Sequence, residues 1–377
     1  MRKNYTTLST LTELLSLLDR DGIQDHRRYE AVRKFLNFKA RDKGIPISGS
    51  FELTPLCNLD CKMCYVHLNK QQMQGANLLS AEIWKDFMKQ AIDAGMMYAS
   101  LTGGECLTYP GFKDLYLFLQ ENGIETTVLS NGILMDKSME DFFKESPPTL
   151  IQITLYGASE ESYERVAGHR AFSKVLENIK RLRDAEIPLR IAVTPNAFMD
   201  DGEEVVKLIY SLNLTCRINS GLIAPRTETG RKIEEAELSQ YVKMLRQQML
   251  LSGKDIPETC DDEMLPEVGG NSEMTYGVKC GAGRSGFSIS WDGQLRPCGT
   301  FPNIAENLLQ MPFKTAWQSI NRQVNQFPLP TECVGCKYNH ICKHCVAEHA
   351  SGAPIGHTSP AVCDWAQRMV AEGIFKL

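Results

Sequence analysis

The chain has no excess of positive charge: 41 Lys and Arg stand against 46 Asp and Glu, a formal net charge of −5. With no basic run either, nothing draws it to a phosphate backbone, and nucleic acid is not an expected partner. No stretch approaches the roughly 18 apolar residues of a membrane span, and Met1-Arg2-Lys3-Asn4-Tyr5 lacks the apolar core of a signal peptide. Membrane association is therefore not expected, and the cytoplasm is the expected compartment. Repeats and low-complexity tracts are missing as well. What remains is 43% hydrophobic and 23% charged over 377 residues, an ordinary globular composition with room for a core domain and an appendage.

Cysteine is plentiful, with 13 in the chain. A reducing cytosol keeps thiols free, so clustered cysteines point to metal rather than to disulfides. Ten fall into three groups, Cys57/Cys61/Cys64, Cys280/Cys298 and Cys333/Cys336/Cys342/Cys345/Cys363, while Cys106, Cys216 and Cys260 stand alone. The first group has no fourth cysteine at bonding spacing, and His67, His340, His344 and His349 are not expected as ligands where so many thiolates compete. Structural zinc takes four closed ligands, so three thiolates and a vacancy suit chemistry at the metal. A cube of four irons and four sulfides held at three irons leaves the fourth iron for a small molecule.

Residues 1–48 read as a helical preface, with Leu11, Leu14, Leu15, Leu17 and Leu18 on one helix and Tyr29, Val32, Phe35 and Leu36 on a second. From 49 to 252 strands alternate with amphipathic helices. Strands are expected at 50–54, 98–102, 125–129, 150–155, 189–194 and 217–223. Helices are expected at 81–94, behind Ser80 as N-cap, and at 111–122, 172–185, 202–212 and 234–251. Such alternation predicts a parallel sheet in an α/β fold, either a barrel or a doubly wound sheet, with active groups at the carboxyl ends of the strands. Residues 253–279 are polar and acidic and read as a linker; beyond them helical content falls and cysteines concentrate.

The spacing Cys57-x3-Cys61-x-Met63-Cys64 resembles the signature of the radical SAM family, and Gly103-Gly104-Glu105 after the second strand resembles that family's Gly-Gly-Glu motif. The resemblance implies a partial (β/α)6 TIM-like barrel over 49–252 and a 4Fe-4S cluster on the three cysteines. The open iron would bind S-adenosylmethionine (SAM), with Glu105 at its amino group. Ser130-Asn131 matches the family's position near the cofactor, although Asn-Gly turn chemistry explains it equally. Thr154 stands where relatives carry the serine of Ser-Leu-Asp-Gly, with Tyr156 replacing the aspartate. Arg165 lies near a carboxylate-binding arginine of relatives and reads equally as an exposed helix arginine. Leu222 and Ile223 would flank the adenine or pack in the core.

Cys280-x12-Gly293-x4-Cys298, Cys333-x2-Cys336-x5-Cys342-x2-Cys345 and Cys363 resemble the cysteine-rich SPASM extension over 280–377, departing only in x2 before Cys345. Zinc knuckles are the rival reading. The resemblance implies two auxiliary Fe-S clusters, one on Cys333, Cys336, Cys342 and Cys363 and a second on Cys280, Cys298 and Cys345. The second either takes Cys260 as a fourth ligand or keeps an open iron. The activity implied is that of a radical SAM/SPASM enzyme that cleaves SAM to a 5′-deoxyadenosyl radical. It would act on a ribosomally made peptide, forming a thioether or carbon–carbon crosslink. An external one-electron reductant such as flavodoxin or ferredoxin is implied as partner. Dehydrogenation or decarboxylation of a small molecule or tetrapyrrole is the alternative, and a non-enzymatic Fe-S carrier the third.

Overall fold

A computed structural model describes residues 10–20, 25–66, 68, 73, 77–219, 235–252, 277–301, 303–338, 342, 345–354 and 356–374. Two helices open the chain, α1 (Leu11–Arg20) and α2 (Asp25–Lys43). Leu14, Leu18, Ala31 and Phe35 form a small core between them. Hydrogen bonds tie this preface to the far end of the sequence: Arg41 Nη1 donates to the Lys279 carbonyl at 3.0 Å, and Trp317 Nε1 donates to the Gly44 carbonyl at 2.7 Å.

Strand and helix then alternate as β1 (Ser48–Glu52), α3 (Ala81–Asp93), β2 (Tyr98–Thr102), α4 (Phe112–Glu121), β3 (Glu125–Ser130), α5 (Lys137–Glu145), β4 (Leu150–Thr154), α6 (Glu160–Ala167), α7 (Phe172–Asp184), β5 (Leu189–Val193), α8 (Gly202–Ser211), β6 (Thr215–Ile218) and α9 (Glu235–Ser252). Ser80 caps α3, accepting from the Ile83 N–H. Helices α5 and α6 were not expected, because 9 and 8 residues are too few for a clear apolar period. Their caps are legible all the same. Asp136 accepts from the Met139 N–H, and Ser159 forms a capping box with Ser162 before Gly168 closes α6 at φ 75°. The sixth strand is shorter than the expected 217–223: it starts at Thr215 and ends at Ile218, and Asn219 turns its side chain to Thr194 Oγ1 at 2.9 Å. Residues 220–223, with Leu222 and Ile223, lie outside the described residues.

The first six strands pair in chain order, every pair parallel. A doubly wound sheet reverses its order at a switch point, whereas a monotonic run is the arc of a barrel. The fold is therefore the partial barrel. The free edge of β1 is taken by β7 (Gly286–Ile289), also in parallel, followed by β8 (Gln294–Arg296) and β9 (Glu306–Asn307) in antiparallel. Helices α10 (Phe313–Asn325), α11 (Val346–Gly352) and α12 (Pro360–Ala371) complete the chain. The cysteine-rich segment is thus hydrogen-bonded to the barrel's first strand.

The apolar core lies between the outer face of the sheet and the helices. Phe51 on β1 sits at its junction with the C-terminal segment, meeting Trp84 of α3 edge-on at 6.2 Å and Phe287 of β7 at 6.0 Å. Phe287 in turn meets Phe313 of α10 at 5.0 Å. Phe51→Ala is expected to cost about 3–5 kcal/mol, the range for a buried aromatic truncation. It should lower the urea midpoint of barrel and C-terminal segment together; an unchanged midpoint for either would contradict a shared core.

Candidate active site

The chain leaves β1 through Leu53 and Thr54 and enters the loop that carries the first three cysteines. Two neighbours fix this loop. On one side is the turn after β2: Gly104 N–H donates to the Thr54 carbonyl at 2.7 Å and Glu105 N–H to the Leu56 carbonyl at 2.9 Å. The approach is so close that a Cβ on Gly103 would lie 2.4 Å from the Thr54 carbonyl oxygen, and one on Gly104 2.4 Å from that of Leu56. Only glycine fits at either position. On the other side is the C-terminal end of α6, whose last carbonyls have no helical partner. Val166 accepts from the Lys62 N–H at 3.1 Å and Ala167 from the Asp60 N–H at 3.0 Å.

Cys57, Cys61 and Cys64 are partly exposed and lie within each other's electrostatic reach. Burial pushes the Cys57 thiol up to about 11 and that of Cys61 further still, with the other thiols adding to the rise. Such thiols become thiolates at neutral pH only beside a cationic centre, as a metal site requires. Donors to the sulfurs are already in place: Leu59 N–H lies 3.4 Å and Asn131 Nδ2 3.6 Å from Cys57 Sγ, and the Tyr156 hydroxyl bonds the Cys61 thiol. Tyr156 is itself braced edge-on by Tyr163, 5.6 Å away. Three soft ligands with second-layer donors fit an iron–sulfur cluster. Met63 is buried at 6% exposure and packs into the apolar core between the second and third cysteine.

Glu105 is the buried hub, only 1% exposed. Desolvation raises its pKa, opposed by hydrogen bonds from the Asn131 N–H at 2.7 Å, Ser130 Oγ at 2.9 Å and the Leu107 N–H at 3.2 Å. Ser130 and Asn131 thus reach the carboxylate of Glu105, and Asn131 Nδ2 also meets Asn58 Oδ1 at 2.6 Å. Thr154 ends β4 on the inner face, level with Ala192 of β5. Arg165 turns away from these groups: its Nε donates to the Phe198 carbonyl at 2.9 Å and its other end pairs with Asp200.

The C-terminal cysteines gather in two sets. A tight turn at Gly281–Gly286 folds Cys280 back towards the start of β7. The β7–β8 hairpin turns at Gly293, with φ 79°, and returns the chain to Pro297, whose carbonyl accepts from the Gly283 N–H at 3.2 Å. That geometry is why a glycine sits between Cys280 and Cys298. Cys345 N-caps α11 and completes this set, within electrostatic reach of both. Cys333, Cys336, Cys342 and Cys363 form the other set, each of the last three influencing the Cys333 thiol, which burial pushes up to about 11. Lys279 lies between the sets, next in chain to Cys280 and in the field of Cys333, Cys336 and Cys342; burial lowers its pKa to about 8. Cys260, His67, His340 and His344 lie outside the described residues. His349 accepts from the Ser359 N–H at 3.0 Å and joins α11 to α12.

A partial α/β barrel with a three-cysteine loop at the carboxyl ends of its strands places the chain in the class of α/β-barrel proteins. The chain belongs to the Radical SAM superfamily, whose family model matches residues 51–245, more than half of it. That family uses a 4Fe-4S cluster and SAM. The chain is 23% identical over 333 residues to the AdoMet-dependent heme synthase of Methanosarcina barkeri, covering 79% of this chain and 90% of that one. It is also 23% identical over 351 residues to the antilisterial bacteriocin subtilosin biosynthesis protein AlbA of Bacillus subtilis, covering 88% and 74%. Among solved structures it resembles Streptococcus suis SuiB bound to its precursor peptide SuiA, with TM-score 0.66 and 17% identity over 93% of this chain and 88% of that one. This last likeness is one of fold.

Two outcomes test the site. Gly104→Ala drives a methyl into the Leu56 carbonyl, so the variant is expected to fold yet lose about four irons per chain, the content of one cube. Wild-type iron content would contradict the close approach. Tyr156→Phe removes a hydrogen bond to a ligating sulfur, and the reduction potential of this cluster should become more negative in a spectroelectrochemical titration.

Proposed function

We propose that the protein is a peptide-modifying radical SAM enzyme that forms a crosslink within a ribosomally made substrate. The observation that carries the reading is the joining of the cysteine loop, the Gly-Gly-Glu turn and the end of β3 around one buried carboxylate. The names of AlbA and SuiB support a peptide as substrate. When bound, the cluster and SAM supply a 5′-deoxyadenosyl radical by one-electron reductive cleavage. Cys57, Cys61 and Cys64 would hold the cluster. Glu105 would take the amino group of the cofactor, with Ser130 and Asn131 holding that carboxylate in place, and Thr154 would meet the ribose or carboxylate. Fixing these groups on strand ends rather than on a free loop directs the reaction by position, and the barrel wall excludes water. Cys333, Cys336, Cys342 and Cys363 would hold one auxiliary cluster and Cys280, Cys298 and Cys345 a second, placed for electron transfer or substrate binding. A flavodoxin or ferredoxin would supply the electron.

Relatedness to a heme synthase of similar length supports a second reading, oxidation or decarboxylation of a tetrapyrrole. Mass spectrometry separates the two. A crosslinked peptide loses two hydrogens, whereas decarboxylation releases carbon dioxide. Reduced, reconstituted protein with SAM is expected to produce 5′-deoxyadenosine, and Cys57→Ala is expected to abolish it; equal amounts from both would overturn the radical assignment. Iron analysis should give about twelve irons per chain for three cubes, against about four if the C-terminal sets hold zinc.

A further inference from the structure

The inner face of the barrel is polar, and one residue on it is unlike the rest. On β6, Cys216 and Ile218 are 8% and 3% exposed and belong to the apolar core, so strand alternation puts Arg217 on the inner face. Pairing places it level with Ala192 of β5 and Thr154 of β4, at the end of the sheet that carries the active site. Ile191 and Val193 on either side of Ala192 join the apolar core, and Ala192, itself fully buried, presents only a methyl group inward. One row deeper, Arg190 has found a partner and donates from Nε to Gln152 Oε1 at 3.1 Å. Arg217 has no hydrogen-bond or ion-pair partner among the described residues, and its Nε is shielded from solvent. A guanidinium keeps its charge at every accessible pH, and a half-buried charge is costly until it meets an anion.

We propose that Arg217 is the receptor for a carboxylate on the substrate, so that the molecule entering the barrel is acidic close to its reacting carbon. In a peptide this is an aspartate, a glutamate or the C-terminal carboxylate. One guanidinium balances one negative charge, which suits a carboxylate; a phosphate dianion would leave a charge uncompensated. The cofactor's own carboxylate is the other source of the same chemistry. It shares a carbon with the amino group, and the function proposed above, on which this step rests, puts that group at Glu105 beyond β2. Strand β6 is four strands from β2 along the curved sheet, so the two sources are separated by the SAM-binding arm of the test below.

The test uses reconstituted, SAM-loaded full-length protein and two probes, N-acetyl-glutamate methylamide and N-acetyl-glutamine methylamide, titrated by NMR. The wild type should bind the acidic probe about tenfold more tightly than the neutral one, as expected for a charge-assisted hydrogen bond. Arg217→Gln should erase that preference, and Arg217→Lys should restore part of it. No preference in the wild type, or a preference that survives in Arg217→Gln, overturns the proposal. Weaker SAM binding by Arg217→Gln in equilibrium dialysis assigns the carboxylate to the cofactor and overturns it as well. A wild type that prefers the acidic probe yet makes no 5′-deoxyadenosine sinks the radical function and leaves the carboxylate receptor standing.

Discussion

The rest of the site depends on the burial of one carboxylate. Glu105 sits where the ends of β1, β2 and β3 converge, and it is held by backbone and side chain at once. Its N–H binds the cysteine loop at Leu56, while its oxygens gather Ser130 and Asn131. An ionisable group at 1% exposure would ordinarily be expelled or neutralised. Here four donors, Cys106 Sγ among them, offset part of the desolvation, and the donors are in turn fixed by the carboxylate. Asn131 carries this order outward, because its amide also reaches Asn58 and the Cys57 sulfur. The position of the first thiol is therefore set by a residue 48 positions away in sequence (105 − 57).

A second constraint comes from the sheet. Strand β1 is flanked by β2 on one side and β7 on the other, and Phe51 packs against both neighbours' helices and strands. The strand leading into the radical-forming loop is thus the same strand that anchors the segment of Cys280 and Cys298. A shared sheet, rather than a linker, therefore joins the two cysteine-bearing segments. Arg41 and Trp317 reinforce the arrangement by clamping the N-terminal helices to the C-terminal segment.

Much of this was legible in the sequence because it is local. Cysteine spacing, the Gly-Gly-Glu turn and five of the six barrel strands are each encoded within a few residues of themselves. The partition of the C-terminal cysteines comes from the family resemblance, and the turn at Gly293 is the local feature that returns Cys298 towards Cys280. Long-range pairings were not legible. Nothing in the neighbourhood of Arg165 announces Phe198 and Asp200 as its partners, and Ser130-Asn131 gives no local sign that it serves Glu105. Arg217 was hidden for the same reason: in sequence it is one arginine in a short strand, and only the register beside Ala192 and Thr154 gives it an address.

The two faces of the barrel wall divide the labour of a radical enzyme. The inner face carries Ser50, Ser100, Thr102, Thr127 and Thr154. Two isolated thiols are buried instead. Cys216 lies in the apolar core, and Cys106, although next in chain to Glu105, is fully buried there with its sulfur 3.3 Å from the Leu129 carbonyl. Cys106 also donates to Glu105 Oε1 at 3.9 Å, so it packs the core and braces the carboxylate at once. The inner face thus presents hydroxyls, while the two isolated thiols Cys106 and Cys216 are held in the apolar core.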